Sequence, residues 1–220
     1  MISKLPRWVE SGAFVLALVA GFINAAGLLG FQHQSVSHLS GTATLVGTGF
    51  VNSSMSDVFY LFAIIFSFLI GSAISGYFLH GGTLKLSRNY SGVLTLEAIF
   101  LFCAAYLLTK NSFGGLYWAS AACGLQNALA TKYSGAVIRT THVTGIFTDL
   151  GIMLGAKIRG ETFDKRKALL FLLIILGFIS GGALGAYSFN YLQFYALYVP
   201  ASFCLFLALS YSLYRTKVRR

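Results

Sequence analysis

Long apolar stretches separated by short polar segments dominate the hydrophobic pattern of this chain. Six stretches are long enough for a helix to cross the hydrocarbon core, which takes about 20 residues. They cover residues 11–30, 58–79, 91–109, 113–131, 168–189 and 191–214. Two shorter pieces, 40–52 and 144–156, are rich in Gly and Thr and predict re-entrant half helices. The pattern thus predicts an all-α integral membrane protein, a single membrane domain over 1–220 with six transmembrane helices and two short re-entrant ones.

The composition agrees with this class of protein. Of the 220 residues, 56% are hydrophobic and 10% are charged, which excludes soluble enzyme folds. The net charge of +10 comes from basic residues between apolar stretches and at chain ends, where topology signals occur, so we expect no nucleic-acid partner. The three cysteines lie in apolar stretches without CxxC spacing. They predict packing residues, and we expect no disulfide, metal or other cofactor.

The basic residues also predict the orientation, because Lys and Arg accumulate in cytoplasmic loops. If the two short helices do not cross the membrane, 15 of the 16 Lys and Arg residues lie inside and only Lys110 lies outside. If both cross, giving eight spans, 12 lie inside and 4 outside. The stronger bias predicts six spans with both termini in the cytoplasm.

The chain contains an internal repeat. Residues 21–24 match 124–127, and 38–47 match 142–151 in the pattern His-x-Ser/Thr-Gly-x-x-Thr-x-x-Gly. Rows of small residues four apart, which let helices approach closely, follow as a third match. These rows are Ser67, Gly71 and Ser75 in the first copy (11–109) and Gly177, Gly181 and Gly185 in the second (113–214). Because each copy has three crossings, the second is predicted to be inverted, with a site between the copies near mid-membrane.

Polar connectors precede the two short helices. Non-helical backbone at membrane depth must pack in protein or line a wet cavity, so connectors 31–37 and 132–141, with Gln32 and Gln34, are expected to face inward. Ser40 and Thr144 are predicted N-caps, and two helix N-termini aimed at one point would bind an anion or polar group. The predicted substrate-binding residues are Asn24, His38, Ser40, Gly41, Thr42, Thr44, Asn127, His142, Thr144, Gly145 and Thr148. The alternative is that these residues only cap, pack or bridge helices.

Asp149 is the candidate coupling residue. It breaks the repeat, because Leu45 occupies the corresponding position of the first copy. A charge at membrane depth costs about 2.5–3.5 kcal/mol, so we expect this carboxylate to face a cavity or a partner, such as Arg139 or His142. It would receive a coupling proton or cation.

Two further residues carry more ordinary expectations. Glu97 lies about two turns inside its span, where we expect it to reach water or to pair with Lys85. Pro200 lies within the last span and predicts a kink.

Several of these motifs resemble the YoaK-like family of bacterial multi-span membrane proteins of unknown function. They are the run 21–26, the connector that ends in His38-Leu-Ser-Gly-Thr42, and the later segments 124–127 and 140–145. The first copy of that family reads Thr-Gly-Asn where this chain has Ser40-Gly41-Thr42, so no role that needs an amide at Thr42 carries over. The resemblance implies a multi-span fold in a bacterial inner membrane and implies no substrate.

These features favour a small secondary transporter of a polar or anionic solute, with alternating access and a proton link through Asp149. The alternatives are a channel-like pore, an intramembrane enzyme or lipid-handling protein that uses the two histidines and Asp149, and a non-catalytic membrane partner or assembly protein. The sequence has no Walker loop, dinucleotide fingerprint, serine elbow or HExxH motif, so we expect no enzyme. The expected partners are membrane lipid and a small solute, and six spans leave a homodimer open.

Overall fold

The computed structural model describes residues 6–30, 33, 35–79 and 89–218, and every regular element in this part of the chain is helical. The helices are α1 (Trp8–Leu29), α2 (Leu39–Asn52), α3 (Met55–Phe78), α4 (Asn89–Thr109), α5 (Gly114–Ser134), α6 (Val143–Ile158), α7 (Lys165–Leu192) and α8 (Tyr198–Val218), with a 3-10 helix over Gln193–Leu197. The predicted all-α class is confirmed. A helix occupies each of the six long apolar stretches and each of the two short ones.

Four described segments are long and apolar enough to cross a membrane. They are Trp8–Leu29, Met55–Phe78, Asn89–Thr109 and Lys165–Thr216, the last of which contains both α7 and α8. The helix α5 is not among them, because Ser, Gln, Asn and Lys residues lower its hydropathy. Most residues of α5 are buried against other helices, so this helix needs little lipid-facing apolar surface.

The two halves of the chain pack together through two helix pairs, each of which joins a helix of one half to a helix of the other. Helix α1 of the first half packs along α7 of the second, and α3 of the first half packs along α5 of the second. A Cβ atom added to Gly21 would overlap the carbonyl oxygen of Phe178, and one added to Gly124 would overlap that of Phe68. The backbones therefore touch at both crossings, as small residues permit.

The predicted rows of small residues are contact points of α3 and α7. A Cβ atom on Gly71 would overlap the carbonyl oxygen of Ala121, and one on Gly181 would overlap that of Leu18. In the alignment of the two copies Gly71 corresponds to Gly181, and Ala121 corresponds to Leu18. The same close contact thus occurs twice in the molecule, with its partners exchanged.

The last two helices differ from their predicted boundaries. Helix α7 continues to Leu192, and the last helix begins at Tyr198 and not at residue 191. Gln193 stops α7 by adopting a φ of 50°, in the left-handed region. Pro200 lies in the first turn of α8, where its missing N–H needs no intrahelical acceptor, so the expected mid-span kink is wrong.

Candidate functional site

A cavity of about 610 Å³ lies between the two halves, at the point where α2 and α6 begin. Its walls come from α1, α3, α5 and α7 and from the ends of both connectors. Phe68 and Phe178, which line it, lie near the middle of α3 and α7. The cavity therefore lies at about half the length of the long helices.

The lining repeats between the two halves. Six pairs of residues that the internal repeat relates both contribute to it: Asn24 and Asn127, Ser37 and Thr141, His38 and His142, Leu39 and Val143, Ser40 and Thr144, and Phe68 and Phe178. The remaining lining residues are Ser72, Ala128, Thr131 and Arg139. Both copies of the repeat thus supply one shared cavity.

The structure brings six of the predicted substrate-binding residues to this cavity. They are Asn24, His38, Ser40, Asn127, His142 and Thr144. The other five, Gly41, Thr42, Thr44, Gly145 and Thr148, lie on α2 and α6 outside its lining. The hydroxyl of Thr44 donates to the carbonyl oxygen of Ser40 at 2.9 Å, and that of Thr148 donates to the carbonyl oxygen of Thr144 at 3.0 Å. These hydroxyl protons are bonded within their own helices.

The predicted N-cap role of Ser40 and Thr144 is wrong. The capping positions belong to His38 and His142, so both predicted caps already lie in the first helical turn. Each helix therefore begins two residues earlier in the chain than a cap at Ser40 or Thr144 would place it. Neither histidine side chain caps its helix, so the first-turn N–H groups lack that acceptor and remain available at the cavity.

The two asparagines of the lining differ in their bonding. The Asn24 Oδ1 atom accepts from Ser35 Oγ at 2.6 Å and from Ser37 Oγ at 2.9 Å, which fixes the first connector against α1. The Oδ1 atom of Asn127 is buried and has no hydrogen-bond partner among the described residues. Asn24 therefore has a structural role, whereas Asn127 lines the cavity while its amide oxygen is buried and unpaired among the described residues. Gln32 and Gln34 lie outside the described residues.

The polar groups around the cavity favour negative charge. Arg139 lines it and forms no ion pair within the described part of the chain. His38 and His142 stand at the starts of α2 and α6, whose N-termini carry positive partial charge. Among the described lining residues there is no carboxylate. The guanidinium of Arg139, the N-termini of α2 and α6 and the two imidazoles together suit a small anion.

Asp149 lies on α6, outside the cavity lining. Its side chain is exposed and forms no salt bridge within the described residues, so neither Arg139 nor His142 pairs with it. The expectation that this carboxylate faces the cavity or an ionic partner is therefore wrong for the described residues. Its coupling role stays a prediction.

Glu97 has a different environment from the expected one. The residue is 0% exposed, in the middle of α4, so the expectation that it reaches water is wrong. Helices α5 and α8 both pack on α4 and cover this position, which the sequence pattern of α4 alone does not reveal. Lys85, its expected partner, lies outside the described residues.

Comparisons with known proteins match the chain to a family and to one relative. A family model described as "Protein of unknown function (DUF1275)" matches residues 12–210. The UPF0700 transmembrane protein YoaK of Bacillus subtilis (strain 168) is 27% identical over 171 residues, which cover 74% of this chain and 76% of the relative. No solved structure matches at a significant level. The match confirms the resemblance and the membrane class of the protein.

Proposed function

The chain belongs to the DUF1275 family of membrane proteins, and from that premise we propose that it is a secondary transporter of small anions in the bacterial inner membrane. The observation that carries the proposal is the shared cavity, where two helix N-termini, two histidines and Arg139 meet without a carboxylate among the described lining residues. Such a site stabilises negative charge through backbone dipoles and one full cation. The proposal assigns the protein no chemical reaction.

The exchanged helix contacts support an inverted repeat. Gly21 meets Phe178 and Gly124 meets Phe68, which are equivalent contacts under the internal repeat. Transporters with inverted repeats bind solute between the repeats, on short helices that end near mid-membrane. With 14 and 16 residues, α2 and α6 span about 21 and 24 Å, less than the hydrocarbon core of about 30 Å. Their lengths favour re-entry and six spans, and the distribution of Lys and Arg favours both termini in the cytoplasm.

The same contacts suggest how access alternates. The α1–α7 pair and the α3–α5 pair are each joined by backbone contact at glycines, so each pair moves as a unit. Both pairs line the cavity. Rocking one pair against the other would open the cavity to one side of the membrane at a time. The proposed partners of the protein are membrane lipid and the transported solute. The homodimer stays a prediction.

Uptake into proteoliposomes tests the proposal. The purified full chain would be assayed with a panel of sulfate, phosphate, lactate and succinate. We expect saturable uptake of at least one anion, with a KM raised about 10- to 100-fold in Arg139→Gln, because a charge-assisted hydrogen bond of about 1.5–3 kcal/mol is lost. Arg159→Gln is the matched control, since Arg159 is exposed and pairs with Glu161 outside the cavity.

Two outcomes would contradict this function. If no anion of the panel enters above the level of protein-free vesicles, the anion proposal fails. If the protein instead gives unitary conductance in a planar bilayer, with flux that does not saturate, the channel reading replaces the transporter.

A further inference from the structure

Glu97 is a fully buried carboxyl group inside a segment long and apolar enough to span the membrane. It is 0% exposed and lies in the middle of α4. Its nearest turns on α4 contribute buried Val93, Leu94, Ala98 and Leu101. Glu97 does not line the cavity between the two halves, so the proposed solute site gives this group no role.

No strong hydrogen bond or ion pair holds the carboxyl group of Glu97 among the described residues. Neither of its oxygens has a hydrogen bond that meets the usual distance and angle limits within the described residues. Its electrostatic neighbours are the thiols of Cys123 on α5 and Cys204 on α8, both buried. Of the other elements packed on α4, neither α3 nor the 3-10 helix brings a described charged side chain to it. A thiol is at most a weak donor.

These surroundings determine the protonation state of Glu97 in this conformation. An ionised carboxylate here would lose its hydration without gaining a cation or a strong donor. The neutral acid avoids that loss, so the group holds a proton while α4, α5 and α8 are packed together. A buried acid whose nearest donor is the thiol of Cys204 is the kind of residue that carries protons in membrane proteins.

Helix α5 connects this acid to the anion cavity. Cys123 faces Glu97, and Asn127, one turn further along α5, lines the cavity. Gln126 lies between them in sequence, fully buried, with its Oε1 atom accepting from Thr140 Oγ1 and its Nε2 atom unpartnered among the described residues. Cys123 and Asn127 are four residues apart, so they share one face of α5 and lie about 6 Å apart along its axis.

We propose that Glu97 binds the proton whose movement is coupled to anion movement, an inference that rests on the proposed transport function. When α5 moves with α3 to open the cavity, its packing against α4 loosens and water reaches the carboxyl group. The O–H bond then breaks, the proton passes to water, and the carboxylate is left hydrated. Repacking of α5 requires the carboxylate to take a proton back. Proton binding and cavity access are therefore linked through one helix.

Infrared pH titration of the full chain in lipid nanodiscs tests whether Glu97 holds an exchangeable proton. We expect a protonated-carboxyl band near neutral pH that Glu97→Gln removes and Glu161→Gln keeps, since Glu161 is exposed and lies between α6 and α7. We also expect sulfate, phosphate, lactate or succinate to shift the midpoint of that band. The proposal is overturned if Glu97→Gln keeps the same band. It is also overturned if the band persists unchanged from about pH 5 to about pH 10, because the group then exchanges no proton in that range.

A transport assay tests the coupling itself. In proteoliposomes with an entrapped pH dye, we expect wild type to accumulate the anion when a proton gradient is imposed. Glu97→Gln should exchange anion across the membrane but lose gradient-driven accumulation to the level of protein-free vesicles, and Glu97→Asp should recover part of it. If Glu97→Gln accumulates anion as wild type does, only the role of Glu97 fails. If wild type moves no anion at all, the transport function fails and the coupling role with it.

Discussion

Two glycines in the same position of the repeat have different surroundings. A Cβ atom on Gly145 would overlap the imidazole of His142, whereas one on Gly41 would have His38 Cδ2 as its nearest neighbour, at 3.8 Å. An alanine at 145 therefore forces the imidazole to rotate away from the start of α6, and an alanine at 41 does not. We expect Gly145→Ala to raise the KM for the transported anion about 10-fold or more, through loss of a hydrogen bond to a charged group, and Gly41→Ala to leave it within about twofold. Equal effects of the two substitutions would show that the imidazole of His142 does not contact the solute.

At the residue scale, the sequence predicted the part of the site that repeats. His38 and His142 were found because a spaced motif occurs twice, and both line the cavity. Phe68 and Phe178 were missed, because a phenylalanine that lines a cavity looks in sequence like one that faces lipid. Glu97 was misjudged for a related reason: its burial depends on two other helices, α5 and α8, which no local pattern encodes.

At the element scale, two glycines of α3 distinguish the effect of close helix packing from the effect of intrinsic helix propensity. Gly71 and Gly76 both lie on α3, but a Cβ atom on Gly71 would overlap the Ala121 carbonyl oxygen and one on Gly76 would meet nothing within 4 Å. We expect Gly71→Ala to destabilise the protein by about 1–3 kcal/mol, because α3 and α5 must separate. Gly76→Ala should be neutral or stabilise by up to about 1 kcal/mol, since alanine favours helix. Thermal unfolding of both variants in one detergent measures the difference, and a similar loss in both would contradict the packing role.

Element positions were more predictable than element ends. The small-residue rows and the two short helices follow from spacing and composition, and both occur in the structure. The caps at 38 and 142 and the break at Gln193 depend on single backbone dihedrals, for which Ser40, Thr144 and Pro200 were misleading signals. Such dihedrals respond to tertiary packing, which sequence spacing does not report.

At the scale of the whole molecule, one aromatic contact discriminates between six and eight spans. The rings of Trp8, at the start of α1, and Tyr133, near the end of α5, have centroids 5.5 Å apart. With six spans both residues belong to the cytoplasmic end of the molecule. With eight spans α1 and α5 would run in the same direction, and the start of one would lie across the membrane from the end of the other. The contact therefore favours six spans, as the charge bias does.

Labelling from one side of the membrane tests this arrangement. With Cys103, Cys123 and Cys204 replaced, Ser54→Cys in the exposed turn between α2 and α3 should react with an impermeant thiol reagent on intact cells. Asn111→Cys, in the α4–α5 turn, should react as well, and Thr162→Cys, between α6 and α7, should react only after the cells are opened. If Ser54→Cys is protected in intact cells but reacts once they are opened, α2 crosses the membrane and the halves are parallel. The two helix N-termini would then lose their inverted relationship, and the electropositive cavity would no longer be a site that each side of the membrane reaches in turn.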